Sequence, residues 1–471
     1  MATAKLKSLI EQKMPLTLGE VIEIANETKS SPAVVVIEEA QNQTGKNRGE
    51  VLDLVLKQFE HNLKAVEIGM TTGESLLFGK VGAELAAIDG SKIFEDEFID
   101  KALMYTLAAQ VGNHTIGLRP CAGTGDPCPY TGFIKAMMDS GYDQDRIAQL
   151  ASLILKVGSV FRVGKIGTGC NMEGFGAGAC AMAAAFVELK GGSPQAMERA
   201  MVLALSPTIA VPCTPRVMVP GLCATHIGGA ILIGAMAASL AINTNIEVNV
   251  PIDVMVSMAA EIHPISAKEI VPTVIKFMEP FFKTKPMVEE LIDDTVKSKE
   301  KTRIEETIKE AKEISKRLVT GARPITETLG EAVVGGSSQA VGSPTNAARI
   351  AHFLCKGNIK KVKIELYPEL FARRGINIPG ILMAAVFGSS TADYEMYGKV
   401  MDKVKEKGIE VEILETQEYQ VQRITIVAEE VTSMVDTLNR GGGRLVLRDA
   451  SPSKDEALKI AKELGIVVIN P

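Results

Sequence analysis

Tryptophan is absent from this chain of 471 residues, and aromatic residues make up only 4% of it. A core without large rings has to be built from Ala, Gly, Val, Ile and Met, so close helix contacts are expected wherever the chain is apolar. No Cys-x-x-Cys pair occurs among the seven cysteines, which argues against a zinc ribbon, a ferredoxin run or a thioredoxin-type redox pair. That odd number, in a long chain whose opening Met1-Ala2-Thr3-Ala4-Lys5-Leu6-Lys7 lacks the apolar run of a secretory signal, does not suggest a disulfide framework. The compartment reads as reducing cytoplasm. A basic excess is also lacking: the formal net charge is −6 and the pI is near 5.7, which argues against a nucleic-acid partner. There is no internal repeat and no low-complexity segment.

What is present is ordinary for a globular chain, 46% hydrophobic and 23% charged, with room for about two to four domains. Residues Cys223 to Ile242 are nearly all apolar over a length that could span a bilayer. Prolines precede them, His226 lies near their start, and no basic flank or aromatic belt accompanies them. A central helix buried on all sides, with no membrane partner, is the expectation. Thr17-Leu18-Gly19-Glu20 has the form of a capping box opening a helix over Val21 to Thr28. From Leu52 to Gly69, residues Leu52, Val55, Phe59, Leu63 and Val66 repeat at helical spacing.

These patterns predict a multidomain α + α/β chain. Residues 1–85 read as an N-terminal helical lead-in, and 86–285 as an all-α core domain of Ala- and Gly-rich helices. A charged helical linker follows over 286–325, with Glu305–Lys309 and Glu313–Arg317 at favourable spacing for ion pairs. Residues 326–471 read as a smaller α/β domain. Its expected strands are Val362–Leu366, Val411–Leu414, Ile424–Val427, Arg444–Leu447 and Ile466–Ile469, alternating with helices at Pro344–Leu354, Tyr397–Lys407 and Lys454–Leu464.

Three cysteines carry the chemical signal. Cys170, in Gly-Thr-Gly-Cys-Asn-Met-Glu-Gly, Cys213, in Val-Pro-Cys-Thr-Pro-Arg, and Cys223, after Val-Pro-Gly-Leu, each read as sitting at a turn. Three thiolates on a 4Fe–4S cluster leave one iron open to a substrate. Ordinary buried thiols are the alternative, since free cysteine is among the most buried residue types.

The run from Cys170 through Glu173 into a Gly/Ala-rich helix ending Phe186-Val187-Glu188-Leu189 resembles the cluster-binding α domain of the iron–sulfur-dependent L-serine dehydratases, where Cys-Gln-Ala-Glu-Val-Gly opens an Ala-rich helix. Cys213-Thr214-Pro215 and Cys223 are similar to that family's second and third ligands, with the interval one residue shorter. Pro120-Cys121-Ala122-Gly123-Thr124-Gly125 resembles its Ala-Pro-Thr-Ala-Gly-Ser loop, and Gly336 to Pro344 followed by Val362 to Tyr367 resembles its β domain. The resemblance covers most of the chain beyond residue 30 and is weaker in the β domain. It implies that Cys170, Cys213 and Cys223 hold a 4Fe–4S cluster in an oxygen-sensitive, homodimeric dehydratase. There an open iron draws off a hydroxyl as a Lewis acid and a base removes the neighbouring proton. From a β-hydroxy amino acid the products are a keto acid and ammonia.

The substrate carboxylate needs donors. Gly123, Thr124, Gly125 and Asp126 offer a backbone nest or else a plain surface turn. Ser337 and Ser338, ahead of a helix, offer hydroxyls or else a helix cap, and Asn171 adjoins the first ligand. Several residues depart from the family. Gln339 and Ile376 stand where histidines are expected, Arg119 and Arg216 stand beside the loop and the second ligand, and Cys121 and Cys128 are extra thiols. The arginines suggest a small hydroxy acid with an additional anionic group, or structural ion pairs. His114 and His226 are the candidate bases, with a hydrogen-bonded structural role the alternative for each. His61, His263 and His352 read as structural, Cys180 and Cys355 as core, and Cys128 as a packing thiol or a displaceable fourth ligand. Two other functions stay open, a cysteine desulfidase-type lyase releasing sulfide and a cluster-bearing redox or sensor protein.

Overall fold

A computed structural model describes residues 2–75, 79–91, 93–125, 127–163, 175–209, 222–278, 281, 285–320, 332–334 and 342–469, without the side chains of 2–3, 162–163 and 222–223. The chain divides into two units, Met1–Ile314 and Ser315–Pro471. Among the described residues the first is helical and the second carries a five-stranded sheet. A helical domain followed by a small α/β domain is therefore the architecture.

In the helical unit, Thr17 caps helix Leu18–Thr28 as expected, its side chain accepting from the Glu20 N–H while Glu20 accepts from the Thr17 N–H. Thr17 also donates to Asp253 Oδ2 at 2.7 Å, tying this end to helix Ile252–Ile265. The run from Leu52 to Gly69 is two helices rather than one, Arg48–Lys57 and Glu60–Met70, broken at Gln58–Phe59. Phe59 is fully buried at the break, so the apolar spacing continues through it. One apolar core joins Ile10, Ile24 and Val66 to Phe133, Ile154 and Met182. Residues 1–85 thus share the core of the Ala-rich helices.

Small residues decide how closely those helices approach. A Cβ on Gly69 would overlap the carbonyl of Ala108, and one on Gly112 the carbonyl of Ala65, so helix Glu60–Met70 crosses helix Glu97–Ile116 backbone to backbone. The few rings gather together, with Phe98, Phe133 and Phe186 meeting edge to face at 5.3–6.0 Å. The long apolar segment forms helix Leu222–Asn243. It is not buried on all sides: half of the stretch Ala224–Asn243 is buried, and Met236 and Leu240 are exposed. Helix Asp294–Thr320 is solvated, with no buried residue. Among the described residues it forms Lys297–Asp294 and Lys276–Glu310, and neither of the two pairs expected from spacing. Those two pairs lie on exposed turns, where long side chains gain little from meeting.

The second unit carries β1 (Ile359–Leu366), β2 (Glu410–Glu415), β3 (Val421–Ala428), β4 (Ser433–Asn439) and β5 (Leu445–Ser451), in the order β2-β1-β3-β4-β5. β1 and β2 are parallel, and the other pairs are antiparallel. Alternation along β1 buries Val362, Ile364 and Leu366 and leaves Lys361, Lys363 and Glu365 on the other face. Helices Gly342–Leu354, Arg374–Phe387 and Lys454–Glu463 belong to the same core as the buried strand residues. Each fully buried Val, Leu, Ile or Met there adds about 1.5–3 kcal/mol of apolar stabilisation. The expected strand Ile466–Ile469 is only a bridge from Val468 to Leu445, and β4 takes its place in the sheet.

Candidate functional site

Two helices of the first unit run side by side in the same direction. Phe175, just before helix Ala177–Leu189, packs on His226 with ring centroids 4.9 Å apart, and a Cβ on Gly229 would meet the same ring at 3.0 Å. Further along, a Cβ on Gly234 would come 2.6 Å from Met182 Cβ, and Lys190 reaches Ser239. Both chains advance together, so the two helices are parallel, and the start at Ala177 is level with the second turn of the helix that begins at Leu222. Cys223 is the second residue of one, and Cys170 lies five residues before Phe175 ahead of the other. Cys223 therefore sits in a first helical turn rather than in a turn before the helix. The first-turn N–H groups of the helix that Cys223 opens, at the positive end of its dipole, favour negative charge there.

Cys170, Cys213, Asn171, Arg216, Asp126, Ser337 and Ser338 lie outside the described residues, as does the side chain of Cys223. Among the described residues no three His, Cys, Asp or Glu side chains gather as a metal site. Of the other thiols, Cys128 is buried and donates to Gln110 Oε1 at 2.8 Å. Cys121 is buried in the loop, 3.7 Å from the Thr124 carbonyl. Burial pushes the Cys180 thiol well above its ordinary range, so it stays protonated in the core.

The loop after helix Glu97–Ile116 is held from several sides. Asn62, fully buried, accepts from the Arg119 N–H at 2.8 Å and donates to its carbonyl at 3.1 Å. Asn113 accepts from the Leu118 N–H, Gln58 accepts from the Ala122 N–H, and the Cys121 N–H donates to the Thr124 carbonyl. Gly123 rests on helix Gln144–Val163, where a Cβ would lie 3.1 Å from Leu155 Cα and 2.9 Å from the Tyr130 ring. Thr124 is fully buried. The Arg119 side chain is exposed and makes no ion pair or hydrogen bond among the described residues, so the structural ion-pair reading does not describe it.

His114 is exposed near the end of helix Glu97–Ile116, with Nδ1 2.5 Å from Ser75 Oγ, which fixes the ring's orientation. His226 packs on Phe175. His61 contacts the Gly117 carbonyl at 3.0 Å, His352 contacts the Ala385 carbonyl at 2.9 Å, and His263 is buried. The arrangement brings His226 to the start of the Cys223 helix and rigidifies the Arg119–Gly125 loop. Sequence reasoning missed Asn62, a polar side chain on the buried side of a helix, and Gln58, a half-buried polar side chain at the break between two helices. In the second unit, Ser343 opens helix Gly342–Leu354 and accepts from Gln422 Nε2 at 2.5 Å.

No protein-family model matches the chain, and a search of curated proteins finds no relative.

Proposed function

We propose that the chain is an iron–sulfur-dependent hydro-lyase acting on a small hydroxy acid or β-hydroxy amino acid in reducing cytoplasm, with Cys170, Cys213 and Cys223 holding a 4Fe–4S cluster. The supporting observation is the packing of Phe175, five residues after Cys170 in the sequence, on His226 of the helix that Cys223 opens. A thiolate suits the first turn of that helix, because its N–H groups oppose negative charge. When bound, such a cluster supplies an open iron that polarises a substrate hydroxyl.

The chain's own residues bind and orient the substrate. The Gly123–Gly125 loop, held by Asn62 and Gln58, would face the carboxylate. The unengaged Arg119 guanidinium would pair a second anionic group, favouring a hydroxy dicarboxylate over serine. His226 or His114 would take the proton at the neighbouring carbon, the former being the nearer in the fold to Cys223. A second copy of the chain is expected as its partner, since the family is dimeric.

The test is anaerobic purification with iron and sulfide analysis, then turnover of serine, threonine, cysteine and a panel of hydroxy dicarboxylates. Stoichiometric cluster and turnover of a hydroxy dicarboxylate support the reading. Serine as the sole good substrate would remove the role of Arg119, and sulfide release from cysteine would favour the desulfidase alternative. Protein without inorganic sulfide would end the proposal.

A further inference from the structure

We infer that a cavity of about 270 Å³ in the helical unit binds a small zwitterionic amino acid with an aliphatic side chain. It opens between helices Pro32–Thr44, Arg48–Lys57 and Gln144–Val163, with Val36, Val51, Val55 and Leu155 as apolar wall. Its size falls just below the usual range for ligand pockets, ~300–1,000 Å³, and suits one amino acid rather than a nucleotide.

Two opposite charges line the same cavity. Lys156 Nζ lies 2.9 Å from Glu39 Oε1 and 2.7 Å from Oε2, with the two side chains 13% and 3% exposed. Oε1 also accepts from the Leu16 N–H at 2.8 Å and from Gln43 at 3.3 Å. Oε2 accepts from Lys156 alone among the described residues, and the ammonium has three donors of which two are used. One acceptor site and one N–H therefore remain. A ligand ammonium on Oε2 and its carboxylate on the third N–H would complete both groups, with the side chain against the valines. A ligand carrying only one charge would leave a net charge in a poorly hydrated place, which is costly.

Ala122 also lines the cavity, and its N–H is held by Gln58, another lining residue. An occupant would thus touch the loop assigned above to the substrate carboxylate. That link to the substrate loop rests on the proposed function; the binding itself does not, and it can be measured without cluster or turnover.

Since the chain has no tryptophan, Gln43→Trp at the cavity's exposed rim supplies a single reporter. The full chain is titrated with L-leucine, L-valine, 4-methylpentanoate and 3-methylbutylamine, following emission, and the thermal shift of the unmodified chain is measured with the same compounds. Saturable responses to the amino acids, weaker by about tenfold or more for either single-charge analogue, are expected. Either single change of the ion pair strands a buried charge, so Glu39→Gln with Lys156→Met together is used, and Val55→Phe fills the space without touching the pair. Both variants should lose binding while keeping the helical circular dichroism of the parent. Equal response to an analogue, persistent binding in a folded variant, or no response from either readout would overturn the assignment.

Discussion

Replacing Gly158 by alanine asks whether main-chain contact holds the Gly123 loop on helix Gln144–Val163. A Cβ at Gly158 would overlap the carbonyl oxygen of Gly123 and the hydroxyl of Tyr130. Neither can move aside cheaply. Tyr130 and Thr124 are fully buried, and Gly123 already lies against the Leu155 backbone. Helix propensity alone would favour alanine by about 1 kcal/mol, whereas overpacking costs ~1–3 kcal/mol. Contact with backbone on one side and a buried ring on the other places the cost at the upper end, for a net loss of about 1–2 kcal/mol. Gly228 is the control: among the described residues a Cβ there meets only Leu103 Cδ2, at an ordinary 3.5 Å. Gly228→Ala should stabilise by up to about 1 kcal/mol, because propensity then acts unopposed. At about 2–4 °C per kcal/mol for units of a few hundred residues, thermal unfolding should move a few degrees in opposite directions for the two variants. Turnover should fall for Gly158→Ala, because the loop shifts. An unchanged or raised melting temperature with full turnover for Gly158→Ala would refute the account of the loop.

Serine at Cys170, Cys213 or Cys223 should abolish bound iron and sulfide in anaerobic protein, while Cys128→Ser, which changes a thiol already bonded to Gln110, should leave the metal content intact. Arg119→Gln should raise KM for a hydroxy dicarboxylate while leaving that for serine unchanged; equal effects on both would remove its assigned partner. Burial acts to raise the Asp139 carboxyl, but bonds from Lys135 and Tyr105 outweigh it and hold the group below the usual carboxylate range. Its folded value lies below its unfolded one, so its contribution is complete above the unfolded value of about 3.9 and lost as pH falls through the folded value. Asp139→Asn should therefore lower the melting temperature near neutral pH and match the parent in strong acid; a gap constant with pH would contradict this.

Elements that announce themselves locally were legible in the sequence. The capping box at Thr17 and the alternation of β1 need only neighbours a few residues away. β4 was not legible, because Ser433, Asp436, Thr437 and Asn439 are polar and yet buried. Their partners come from elsewhere: Arg423 and Arg448 meet Asp436, and the carbonyls of Ala351 and Gln422 accept from Ser433 and Thr437. Apolar Ile466–Ile469 looked the better strand, yet it adds only one bridge at the edge of the sheet. Hydropathy records what a side chain prefers, not what a distant residue supplies. The same limit hid the break at Gln58–Phe59, since the apolar spacing runs through it unbroken.

The candidate site has the same divided origin. Its motif, Arg119 to Gly125, is visible in the chain, but what fixes the motif comes from Gln58 and Asn62, more than fifty positions earlier. Asn62→Ala makes that dependence measurable. It leaves the Arg119 N–H and carbonyl without the partners they have now, and each orphaned group costs about 1–3 kcal/mol if it stays buried. The loop can avoid that cost by moving toward water, which would carry Arg119 and the Gly123–Gly125 segment with it. The expected result is a modest fall in melting temperature, unchanged iron and sulfide, and a rise in KM with a smaller change in kcat, because the cysteines are carried by other segments. Loss of the cluster in Asn62→Ala would instead mean that the lead-in helices support the metal ligands themselves, and the separation between anion loop and cluster would fail.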